Sequence, residues 1–171
     1  MKAIVCDVRR ALAGRWFWAA LLATTAALYL SIGQAADALM DDTQNLRFTL
    51  SKLLLMALCG DFGMLTLPAL SALPFAAQAL HEIKCGAVRP AVFRAGRRMW
   101  ILGKAAGCIL SGMVLQAAAA GLLGLILYAV RGGGILLEIN AEFNAALLRR
   151  MLCGGIWASV GCVMALATET S

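Results

Sequence analysis

The chain has 171 residues and a formal net charge of +6, and 62% of its residues are hydrophobic. Its mean hydropathy is +0.83. A water-soluble domain is typically about 45–50% apolar, so this composition excludes an ordinary soluble globule and favours a membrane protein. Because Lys and Arg flank long apolar runs, which is where membrane topology puts them, we expect no nucleic-acid partner.

Four apolar runs are each long enough to cross a bilayer as a helix, which takes about 20 residues. They cover residues 16–33, 53–80, 101–130 and 151–168. The runs are continuous and rich in Ala and Leu, which favours helices over the alternating pattern of membrane strands. The sequence therefore predicts an all-α, polytopic transmembrane helix bundle that forms a single membrane domain over residues 1–171.

The first 14 residues predict an interfacial amphipathic helix ahead of the first span. Ile4, Val8, Ala11 and Leu12 recur at helical spacing and share one face. The cations of this segment would then face anionic membrane lipid. The alternative is a cleaved signal peptide, but the apolar run that follows has 18 residues, longer than the usual ~7–15. We expect the segment to be retained.

The second run is unusually long and contains an acid. Its 28 residues span about 42 Å as a helix, more than a bilayer core needs, so the helix should tilt or project. Pro68 and Pro74 predict bends. Asp61 lies within the run, where a carboxylate costs ~2.5–3.5 kcal/mol. Asp61 is therefore either an intramembrane polar site or a group hydrated near the outer boundary.

Small residues punctuate the third and fourth runs. Gly103 and Gly107 form a GxxxG pair, which allows helices to pack closely in lipid. Residues 135–148 are only moderately apolar and predict a short helix on the outer surface. The fourth span would then begin after the basic pair Arg149 and Arg150.

Charge distribution predicts the orientation. Residues 81–104 carry six of the chain's 15 Lys and Arg. Because Lys and Arg resist translocation, this loop should be cytoplasmic, with both termini on the same side. Ten of the 15 cations then lie on the cytoplasmic side and five on the outer side. The adjacent pair Arg149 and Arg150, on the outer side, is the feature that agrees least with this orientation.

The sequence contains no constellation typical of an enzyme, metal site or cofactor site. The six cysteines form no CxxC pair, and His81 is the only histidine. Gly103 and Lys104 lack the remaining residues of a phosphate-binding loop. We therefore expect no catalytic activity, no metal and no cofactor.

The order of residues in the basic loop is more specific than its charge. Glu82 is followed by Gly86, Pro90, the pair Arg97 and Arg98, an apolar stretch, and then Gly103 and Lys104. This arrangement resembles the membrane subunit of an ABC-2 type transporter. There a long second span leads into a cytoplasmic coupling helix, and the N-terminal helix is the interfacial elbow. The chain departs from the family in having Ala87 at a commonly polar position and four spans where six are usual.

The resemblance implies a bacterial cytoplasmic membrane subunit that couples ATP hydrolysis by a separate ATP-binding cassette subunit to substrate movement. A second permease copy or half would complete the pathway, surrounded by membrane lipid. The implied coupling loop covers residues 81–100, and its docking residues are Glu82, Gly86, Arg89, Pro90, Phe93, Arg97, Arg98 and Lys104. Two alternatives remain open: a small non-transporting scaffold, assembly or immunity-type subunit, and an ion-coupled carrier that uses Asp61.

Overall fold

The described part of the chain consists of five α-helices. The computed structural model describes residues 9, 13–40, 50–86, 93, 96–130 and 141–169. The helices are α1 (Arg15–Met40), α2 (Leu50–Cys59), α3 (Asp61–Lys84), α4 (Arg97–Val130) and α5 (Ala141–Glu169). These residues contain no strand, so the predicted all-α fold is confirmed. Most of the predicted interfacial helix over residues 1–14 lies outside the described residues.

Four segments within these helices are long and apolar enough to cross a membrane. They are Arg15–Gly33, Gly63–Glu82, Arg98–Ala129 and Ala141–Ala165. Large apolar side chains cover their outer faces, among them Leu65, Leu125 and Val163, which are 79%, 69% and 64% exposed. Such surface is unfavourable in water and suits contact with lipid. The chain thus has the helices of a polytopic membrane protein.

The second apolar run is divided into two helices at Gly60, and not at its prolines. Helix α3 contains Pro68 and Pro74 and continues through both. At Gly60, an added Cβ would lie 2.9 Å from the Cβ of Ser31 in α1. The missing side chain thus allows α1 to approach the backbone closely, at a residue that weakens a helix. The bends expected near the prolines stay a prediction.

Helix α4 contributes residues to both clusters of the hydrophobic core. One cluster joins α1, α2 and α4 through Leu28, Leu54 and Leu123, all of which are buried. A second cluster joins α3, α4 and α5 through Phe75, Cys108 and Cys162. The buried hydroxyl of Thr24 donates to the carbonyl of Ala20 in its own helix, as side chains of this kind do in apolar surroundings.

Helix α5 begins earlier than the sequence predicted. It runs without interruption from Ala141, and the segment able to span a membrane is Ala141–Ala165. The prediction of a separate surface helix ending at residue 148 is therefore wrong for residues 141–148. The pair Arg149 and Arg150 lies inside the spanning helix, and Arg150 is only 2% exposed. Its charge is accommodated within the protein, which a pattern of hydropathy does not reveal.

Candidate functional site

An ion pair joins the two helices that flank the basic loop. Lys104 Nζ lies 2.7 Å from Glu82 Oε2, with side chains 15% and 19% exposed. The same ammonium group lies 5.8 Å from the centre of the Phe75 ring, within range of a cation–π interaction. Because both charges are largely removed from water, their attraction is stronger than that of an exposed pair. The last turn of α3 is thereby connected to the beginning of α4.

Glycines mark both ends of the loop between these helices. Gly86 has φ 68° and follows the end of α3, and Gly96 has φ 77° and directly precedes α4. Both values lie in the left-handed region, which glycine adopts without steric cost. Between them, Phe93 is 89% exposed. Arg98, in the first turn of α4, is also exposed. The loop and the first turn of α4 thus present an aromatic ring and a cation to their surroundings.

The predicted docking residues fall into three groups. Glu82 and Lys104 pair with each other, and Gly86, Phe93 and Arg98 are exposed. Arg89 and Pro90 lie outside the described residues, as does the side chain of Arg97. Docking of a soluble partner stays a prediction.

Close glycine packing also occurs one to two turns beyond the predicted GxxxG pair. Gly103 is half-buried, and a Cβ at Gly107 would lie 3.2 Å from the ring of Phe75. At Gly112, however, a Cβ would lie 2.5 Å from the carbonyl oxygen of Gly154 in α5. No real Cβ tolerates that distance, so the backbones of α4 and α5 are in direct contact here.

A buried arginine lies where α2 and α3 are interrupted. Arg150 of α5 donates from Nη1 to the carbonyl of Leu58 at 2.8 Å and from Nη2 to the carbonyl of Gly63 at 2.9 Å. Its Nε donates to Oε1 of Gln116 in α4 at 3.2 Å. We call these groups the Arg150 cluster. One side chain thus connects four helices at the point where the helix of the second run is interrupted.

The geometry of the Arg150 cluster follows from the needs of an interrupted helix in lipid. The last carbonyls of α2, including that of Leu58, have no intrahelical donor, and unpaired backbone groups are costly in a bilayer. A guanidinium supplies several donors in a fixed plane, and a positive charge is favourable at a helix C-terminus. The cluster still has an excess of donors. Gln116 is fully buried, and its Nε2 has no hydrogen-bond partner among the described residues.

Asp61 is the first residue of helix α3. Along the chain it lies between Leu58 and Gly63, whose carbonyls accept hydrogen bonds from Arg150. Its side chain lies outside the described residues. The two interpretations of Asp61, as an intramembrane polar site or as a hydrated boundary group, therefore stay predictions. Its position in the chain nevertheless associates it with the interruption at Gly60.

Sequence reasoning did not find Arg150 or Gln116. The sequence does contain signals for both residues. A basic pair separates two apolar stretches that together make one helix, and Gln116 is a lone amide in a run of Ala and Leu. Polar residues inside membrane spans normally face other protein groups. The sequence pattern instead predicts that the fourth span begins after the pair, because hydropathy alone treats an arginine as a boundary.

Comparisons with family models, curated proteins and solved structures gave no match to this chain. The fold and the sites therefore define a class only: an all-α protein whose described residues include four helices able to span a membrane.

Proposed function

We propose that this chain is the membrane-spanning subunit of an ABC-type transporter in the cytoplasmic membrane of a bacterium. ATP hydrolysis by a separate ATP-binding subunit would displace the loop over residues 81–100, and helices α3 and α4 would carry that displacement into the bilayer. Both termini would be cytoplasmic. A second copy or half would enclose the substrate path.

The observation that best supports this proposal is the ion pair between Glu82 and Lys104. A loop that transmits movement must be attached firmly to the spans on either side of it. The pair provides this attachment at the membrane end of the loop, while Phe93 and Arg98 remain exposed at its surface. Exposed aromatic and arginine side chains are the types that contribute most to protein interfaces.

Affinity purification of the chain from its native membrane tests the proposal. A bound subunit with ATPase activity is expected, and Arg97→Gln combined with Arg98→Gln should reduce its recovery at least ten-fold. Arg9→Gln combined with Arg10→Gln removes the same charge outside the loop and should leave recovery unchanged. Undiminished recovery of the ATPase with the loop variant would contradict the docking role.

The same purification distinguishes the scaffold alternative. A chain recovered with other membrane proteins, and with no ATPase in either the parent or the control variant, would act as a non-transporting subunit. That result would reject the transporter proposal as a whole rather than the docking residues alone.

A further inference from the structure

An open cleft of about 950 Å³ lies between the beginning of α1 and the last turns of α3. It is separate from the Arg150 cluster. One wall is formed by Gly14, Arg15 and Trp16, and the other by residues from Pro74 to Lys84. Both walls belong to the ends of spanning segments, so the cleft lies at the level where the bilayer meets water.

Aromatic residues independently support this position of the cleft at the membrane surface. Trp16 and Trp18, at the beginning of α1, are 59% and 58% exposed. Exposed tryptophans at the ends of spans are typical of the headgroup region. A molecule in the cleft would therefore place one end among lipid headgroups and the other against the acyl chains.

The lining of the cleft combines apolar and charged residues. Trp16, Pro74, Ala77 and Leu80 supply apolar surface, and Arg15, His81 and Lys84 supply cationic or titratable groups. Among the described lining residues, the one carboxylate, Glu82, is paired with Lys104 at 2.7 Å. These described residues carry two formal positive charges, on Arg15 and Lys84, and that one negative charge.

We infer that this cleft binds a single anionic phospholipid, with the phosphate beside Arg15 and Lys84 and the glycerol and upper acyl chains against Trp16 and Ala77. Charge complementarity selects an anionic headgroup over a zwitterionic one. The apolar wall selects a lipid over a soluble phosphate. Basic pockets between membrane helices are suited to anionic headgroups for the same reasons. Lipid binding requires neither transport nor the ATP-binding partner.

Binding of dioleoyl-phosphatidylglycerol to the purified full chain, measured by native mass spectrometry against dioleoyl-phosphatidylcholine, tests the inference. Phosphatidylglycerol should bind more tightly. Arg15→Gln should weaken its binding about five-fold, since each cation near an anionic lipid contributes ~1 kcal/mol. Arg149→Gln removes one exposed arginine outside the cleft and should leave binding unchanged. Ala77→Phe keeps every charge but fills the apolar wall, and should also weaken binding.

Three outcomes would overturn the inference. They are equal affinity for the two lipids, an equal effect of Arg15→Gln and Arg149→Gln, and competition by free glycerol phosphate at concentrations similar to those of the lipid. The last would assign the cleft to a soluble phosphate. If Ala77→Phe does not fold, as judged by its circular dichroism, the two arginine variants decide the question alone.

Discussion

Replacing Arg150 with Met should destabilise the folded bundle while making the helix easier to insert. The variant removes three hydrogen bonds, to the carbonyls of Leu58 and Gly63 and to Gln116. Hydrogen bonds between membrane helices contribute about 0.6–1.7 kcal/mol each, so the three together contribute about 2–5 kcal/mol. Insertion, by contrast, becomes more favourable by up to ~2.5–3.5 kcal/mol, the cost of an arginine at the centre of a span, because one arginine fewer is inserted. The two effects act on different steps and are separable.

Unfolding in mixed micelles, followed by near-ultraviolet circular dichroism, measures the first step. Arg149→Met is the matched control, because it removes the same charge from an exposed position one residue earlier. The Arg149 variant should unfold as the parent does, and the Arg150 variant should unfold at clearly lower denaturant. Alkylation of half-buried Cys153, one turn along the same helix, should also accelerate in the Arg150 variant. Equal stability of the two variants would refute the structural role assigned to the Arg150 cluster.

Further predictions concern helix packing, the ion pair and orientation. Gly112→Ala should lower the free energy of unfolding by about 1–3 kcal/mol, because its methyl group meets a backbone oxygen at 2.5 Å. Gly121→Ala, with no atom within 4 Å, should raise it by up to ~1 kcal/mol through helix propensity, and equal effects would contradict the packing. A double-mutant cycle with Glu82→Gln and Lys104→Met should give a coupling at or above the ~1 kcal/mol limit of exposed pairs, and a value near zero would show that the pair does not contribute. The exposed thiol of Cys85 should react with a membrane-impermeant maleimide in inverted vesicles and not in intact cells, and labelling from outside would reverse the proposed orientation.

The all-α fold could be predicted from the sequence because it depends on composition along the chain. Long continuous runs of Ala and Leu permit helices and few other structures in a bilayer. The interruption of the second run could not be placed in the same way. Pro68 and Pro74 carry the stronger local signal, yet both lie inside α3. The break occurs at Gly60, where contact with Ser31 of another helix requires a residue without a side chain.

The candidate sites show the same division between local and long-range information. Glu82 and Lys104 could be proposed as loop residues because they flank a basic segment, but their pairing across 22 positions depends on how α3 and α4 pack. The burial of Arg150 depends on three other helices that supply its acceptors. Hydropathy assigns a cost to each residue separately. It therefore misplaces a charge whose partners are distant in the chain.

The Arg150 cluster and the ion pair between Glu82 and Lys104 hold opposite ends of α3. Arg150 of α5 binds the carbonyl of Gly63 near the beginning of α3, and Lys104 of α4 pairs with Glu82 near its end. These points are 19 residues apart, or about 28 Å along a helix, close to the ~30 Å of a hydrocarbon core.

The two attachments differ in how they would respond to a force on the loop. The ion pair is partly exposed, so salt and a nearby partner can weaken it. The guanidinium of Arg150 is buried, so neither salt nor a partner reaches it. A displacement of the loop would therefore act first on the pair between Glu82 and Lys104. With that pair weakened, α3 would pivot about its attachment to Arg150, and the non-helical residue Gly60 would separate this movement from α2.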